Sequence, residues 1–118
     1  MRFNNDIIEI IKHRMPDGAR VVEASSFDAF VVNVSWKLDD DPERPNKPSR
    51  TLSIRVSHEA MEDFASATEL KRAEALRRIS DFIAKKMATF DPKHDVPKYQ
   101  PPPVETWVVS THVLFGVG

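Results

Sequence analysis

The sequence predicts an α+β domain in two layers: a four-stranded, mainly antiparallel sheet with helices on one face, in the order α-β-β-β-α-α-β. Three observations predict it. Apolar residues recur at helical spacing in the first fifteen positions and again from Leu76 to Phe90. Four other segments alternate apolar and polar residues with the period of two that marks a half-buried strand. The prolines gather at 42–48 and 92–103, where they mark two irregular connections between ordered blocks. A chain of 118 residues is the size of one domain, read here as 1–118 with connections at 39–49 and 91–103.

Phe3, Ile7, Ile11 and Met15 form the stripe of the first helix. Asn4 or Asn5 is its predicted N-cap, and Pro16 with the turn at Asp17-Gly18 ends it. A short strand follows over Arg20–Ser25, then a stronger one over Phe27–Leu38. In the latter, Phe30, Val32, Val34, Trp36 and Leu38 point to one face, and Ala29, Val31, Asn33, Ser35 and Lys37 to the other. Residues 39–48 hold an acidic triplet and three prolines, and proline has no amide for a ladder, so a connection is predicted there.

The third strand, Arg50–Val56, alternates Leu52, Ile54 and Val56 against Thr51, Ser53 and Arg55. Ser57 caps a short helix over Glu59–Ser66, and Thr68 caps a longer one to Thr89. Leu76, Ile79, Ile83, Met87 and Phe90 line the buried side of that longer helix. The last strand is predicted over Val104–Phe115. Its inner face carries Trp107, Val109, Thr111, Val113 and Phe115, and its outer face Val108, Ser110, His112 and Leu114.

Composition excludes several kinds of chemistry. Without cysteine there is no disulfide, thiolate zinc site, iron–sulfur cluster or thiol nucleophile. A net charge of −1 gives no general attraction to nucleic acid or anionic lipid. None of the four histidines has a partner at metal-ligand spacing, and Asp39-Asp40-Asp41-Pro42 lacks the turn glycine of a calcium loop. No metal, no cofactor and no enzymatic activity are expected. The chain has neither a signal-peptide core nor an apolar run of membrane-spanning length, so a cytoplasmic protein is expected.

Three sets of residues remain as candidate sites. Asn33, Arg55, Ser110 and His112 would share the outer sheet face as a small polar-ligand or anion site. Ala29, Val31, Val108 and Leu114 would leave apolar groups on that same face, which points to a twofold dimer. Lys71, Arg72, Arg78 and Lys85 put basic groups on the long helix. There, however, Glu74–Arg78 and Asp81–Lys85 stand in the acid-first i, i+4 order of a salt-bridged solvent face, so nucleic-acid binding ranks third.

The string Lys71-Arg72-Ala73-Glu74-Ala75 after Thr68 is similar in element order to double-stranded RNA-binding domains. Their glycine-bearing loop before the basic helix has no counterpart between Gly18 and Gly116. The α-β-β-β-α-β order also resembles small dimeric bacterial secretion chaperones, in order of elements alone. No family is assigned. The function expected from the sequence is a non-enzymatic protein-interaction or regulatory module, with a second copy of itself as partner.

Overall fold

The computed structural model describes residues 2–25, 29–38, 42–43, 47–97 and 99–116, with side chains from Asn4 onward. Four strands form one sheet in the order β1-β2-β3-β4: β1 (Arg20–Glu23), β2 (Ala29–Ser35), β3 (Thr51–Ser57) and β4 (Val104–Val109). The first three pair antiparallel, and β4 lies parallel to β3. That parallel pairing follows from the chain path. Two helices, α2 (His58–Ser66) and α3 (Glu69–Met87), carry the chain between β3 and β4, as a parallel crossover requires.

The inner face of the sheet is apolar because three alternating strands point there together. Phe30, Val32 and Val34 of β2, Leu52, Ile54 and Val56 of β3, and Trp107 and Val109 of β4 form one buried cluster. Ile7 and Ile11 from α1 (Arg2–His13), Met15 just after it, and Ala75, Ile79 and Ile83 from α3 cover it. Ala60 and Phe64 add the buried side of α2. The predicted caps of both later helices are made. Ser57 Oγ accepts from the Ala60 amide and Thr68 Oγ1 from the Lys71 amide, each at 3.2 Å.

Four boundaries differ from the sequence reading. The first helix begins at Arg2, so Asn4 and Asn5 lie inside it rather than capping it; Phe3 of its predicted stripe falls outside the described side chains. β1 ends at Glu23 and β2 covers only Ala29–Ser35.

The hairpin nevertheless extends beyond β2. Leu38 N–H donates to the Lys47 carbonyl at 2.8 Å, Ser49 N–H donates to Trp36 at 2.6 Å, and Lys37 bridges Pro48 between them. Pro48 sits where the pair exchanges no hydrogen bond, so its missing N–H costs nothing. The paired hairpin therefore takes in residues 47–49, which were predicted as connection. The acidic triplet at 39–41 lies outside the described residues.

The fourth difference is the largest. β4 stops at Val109, and Thr111–Phe115 forms a helical turn, α4, closed by Gly116 at φ +70°. The cause lies in β3. Val109 pairs with Val56, and one residue later β3 turns into α2. Beyond Val109 no neighbouring strand remains to accept a ladder, so the chain satisfies its own amides. Leu114 N–H donates to Ser110 at 3.2 Å and Gly116 N–H to His112 at 2.8 Å. The period-two pattern of 110–115 is real, but it has nothing to pair with.

Candidate functional site

The outer face of the sheet can be read row by row from the register. One row runs Val22, Asn33, Ser53, Thr106; the next runs Val31, Arg55, Val108. Asn33 and Arg55 thus share the face as diagonal neighbours on adjacent strands. Ser110 and His112 do not join them: Ser110 precedes α4 and His112 lies within it. The proposed four-residue ligand set is therefore split in two by the helical turn.

The dimer set is corrected in the same way. Leu114 is fully buried in the core under α4, at 0% exposure, because the helical turn swings it inward. Ala29 and Val31 are on the outer face as predicted but already buried, at 7% and 9%. Next to them the Ala24 amide donates to the Val31 carbonyl at 2.8 Å and Ser25 Oγ accepts from the Val31 amide at 3.2 Å. Of the four, Val108 alone is open to solvent, at 55%. Val104, which the sequence reading did not single out, joins it at 59%.

On α3, Lys71, Arg78 and Lys85 recur every seven residues and share a face, whereas Arg72 turns back to donate to the Ala65 and Ala67 carbonyls at the end of α2. Arg78 pairs with Glu74 at 3.6 Å, in the predicted acid-first order, and its guanidinium lies against Gly116. The Asp81–Lys85 pair does not form among the described residues.

What distinguishes β4 is that it is an edge strand with no charge facing outward. The parallel ladder opens with Thr51 N–H donating to the Pro103 carbonyl at 3.0 Å. A strand presents the peptide groups of alternate residues to each side, so Glu105, Trp107 and Val109 face β3. The N–H and C=O groups of Val104, Thr106 and Val108 face away from the sheet, and nothing among the described residues bonds to them. Their side chains stand together on the exposed outer face.

The single charge on the strand is held on the inner side. One oxygen of Glu105 takes the Arg50 guanidinium at 3.1 Å and the other accepts from the Trp107 indole at 2.7 Å. Arg50 also covers the ring of Phe90, which meets Trp36 and Trp107 edge-to-face with centroids 5.8 and 5.6 Å away. Behind this cluster the Arg50 amide donates to the Pro92 carbonyl and His94 Nε2 bonds the Pro48 carbonyl at 2.8 Å. The 91–103 connection is thus tied to the hairpin, and it fixes where β4 begins.

The opposite edge is built differently. β1 is four residues long and carries Arg20 and Glu23, the short, charged form by which proteins blunt an edge.

A second feature is a cleft of about 420 Å³ between α2, α3 and α4. Asp63, Lys71 and Glu74 line it over an apolar floor that includes Leu114 and Phe115; Thr111 Oγ1 donates to Asp63 at 3.1 Å, and Glu74 is the partner of Arg78. Asp63 and Lys71 do not close on each other as an ion pair. The sequence alone could not locate this cleft, since one wall is α4. The Ser110…Gly116 spacing, a helix N-cap and a C-terminal glycine five residues of helix apart, was the available signal for that wall.

Among the described residues, no group of three or more histidine and acidic side chains is placed to hold a metal ion, and no helix is long and apolar enough to cross a membrane. No family model, curated protein or solved structure matches the chain.

Proposed function

We propose that the chain is an interaction module that works as a homodimer joined through its sheet. The observation that carries this reading is the β4 edge. An open edge whose outer row, Val104, Thr106 and Val108, is β-branched and uncharged, with both valines more than half exposed, is the arrangement that proteins normally blunt or cover. Edge β1 is blunted; edge β4 is not. A second copy of the chain would satisfy the unpaired peptide groups and cover both valines at once, and a twofold contact uses the same patch on each partner.

Sedimentation velocity over a concentration series tests this. The reading expects a species of twice 13.4 kDa that dissociates on dilution. It also expects Val108→Lys to shift the equilibrium toward monomer without unfolding the chain. A species that stays at 13.4 kDa into the high micromolar range would refute it.

A second reading is favoured by the cleft. Glu74 on the cleft wall pairs with Arg78, which leaves Asp63 and Lys71 facing one space over an apolar floor without pairing with each other; that suits a small zwitterion with an apolar body, such as an α-amino acid. This moves the polar-ligand alternative from the outer sheet face to the helical side. A thermal-shift screen against amino acids tests it, since a ligand at a hundredfold excess over its Kd adds about 2.7 kcal/mol. No shift with any amino acid, or the same shift in Asp63→Ala, would remove it.

A further inference from the structure

The homodimer proposed above leaves open how the two copies meet, and the peptide geometry of β4 narrows this to one arrangement. The outward N–H and C=O groups belong to Val104, Thr106 and Val108, separated by two residues each. In an antiparallel pair, residues that exchange both hydrogen bonds also recur every second position. Two β4 edges therefore match in an antiparallel register only where outward residue meets outward residue.

Three twofold registers satisfy that condition with at least two such pairs. Centring the axis on Glu105 sets Val104 against the partner copy's Thr106, and it places the two Glu105 carboxylates directly opposite each other, a like-charge juxtaposition. Centring it on Trp107 sets Thr106 against Val108 and leaves the Val104 peptide groups of both copies unpaired. Centring it on Thr106 pairs Thr106 with itself and Val104 with Val108 in both directions. That register uses every outward group, puts valine against valine on the outer face, and sets Glu105 opposite Trp107 on the inner one.

We propose that two copies of the chain join β4 to β4 in antiparallel with Thr106 on the twofold axis, making one continuous sheet across the pair. This rests on the homodimer reading and specifies its contact. The axis lies outside the Arg50–Glu105–Trp107 cluster, so Glu105 keeps its two intramolecular partners when the edges pair.

The chain has no cysteine, so single-cysteine variants report the register directly. Residues in a hydrogen-bonded antiparallel pair have Cα atoms about 5.5 Å apart, within disulfide reach. Thr106→Cys is therefore expected to form a covalent dimer under mild oxidation. Val104→Cys alone lies about 14 Å from its own symmetry mate and is expected not to cross-link; mixed with Val108→Cys, it is expected to.

A second variant uses hydrogen bonding instead. Thr106→Pro removes an N–H that faces away from β3, so the sheet keeps its ladder while the pairing across the axis is lost. A folded, monomeric Thr106→Pro protein is expected. Failure of Thr106→Cys to cross-link, or cross-linking of Val104→Cys by itself, in a protein that sediments as a dimer would overturn this register and leave the homodimer standing. A chain that is monomeric throughout would overturn both.

Discussion

Leu114→Ala distinguishes the two descriptions of residues 104–115. If 104–115 were one strand, Leu114 would stand on the outer face and its truncation would change stability by no more than about 0.5 kcal/mol. In the fold described here, α4 turns Leu114 fully into the core, within the same buried cluster as Phe64, Ala75 and Ile79. Truncating a fully buried leucine costs about 2–5 kcal/mol, depending on how far the site collapses. α4 is a single turn at the end of the sheet and can settle inward, which places the cost at the lower end, about 2–3 kcal/mol.

With a urea slope near 1.5 kcal/mol/M, that cost moves the unfolding midpoint down by about 1.3–2 M. The assay is urea denaturation followed by circular dichroism at low protein concentration, with His112→Ala as the control. His112 is an exposed residue on the same turn, and its truncation is expected to move the midpoint by less than about 0.3 M. A Leu114→Ala midpoint within that same margin of the parent would mean that Leu114 is not in the core, and the account of α4 would fail.

Other consequences follow from the same structure. Gly116→Ala should destabilise by roughly 1 kcal/mol in thermal melts, because the position has φ +70°, which alanine adopts only under strain; an unchanged melting temperature contradicts the left-handed cap. Ile79→Asp buries a charge among α1, α3 and the sheet and should cost more than about 3 kcal/mol, whereas equal stability in urea would remove Ile79 from the core. Glu105→Ala leaves the Arg50 guanidinium and the Trp107 indole without their shared acceptor and should cost about 1–3 kcal/mol, with a change in tryptophan fluorescence. Replacing residues 39–46 by Asn-Gly should keep the fold, since Leu38 and Lys47 already stand paired; carrying the deletion through Ser49 removes the Trp36–Ser49 and Leu38–Lys47 bonds and should not be tolerated. Amide exchange that is equal in the two deletions would count against the extended hairpin.

Most of the sheet and both long helices were legible because their patterns and their partners agree. Leu52, Ile54 and Val56 alternate on a strand with neighbours on both sides. Ile79 and Ile83 repeat at helical spacing on a helix that has a sheet to cover. Residues 110–115 alternate just as cleanly, and there the pattern misleads, since strand formation needs a ladder partner and β3 has already turned into α2. Local sequence does not carry that information.

The same gap explains the candidate sites. Ser110, His112 and Leu114 share the outer face only if the strand continues, and the turn into α4 removes all three from it together. Val108 kept its place because it precedes the break. Val104 needed a different kind of reading: its significance comes from the Thr51–Pro103 hydrogen bond, which decides which peptide groups β4 turns outward. Asp63 and Thr111, which meet across the cleft at 3.1 Å, are 48 positions apart, and no spacing rule connects them.

The most direct test of the central claim is residue-resolved amide hydrogen exchange along β4 at low and high protein concentration. At low concentration the amides of Glu105, Trp107 and Val109, bonded to β3, are expected to be protected, while those of Val104, Thr106 and Val108 exchange freely. At high concentration the second set is expected to become protected as the two edges pair. Protection of Val104, Thr106 and Val108 that remains absent at every concentration, with the other three protected throughout, would contradict the account.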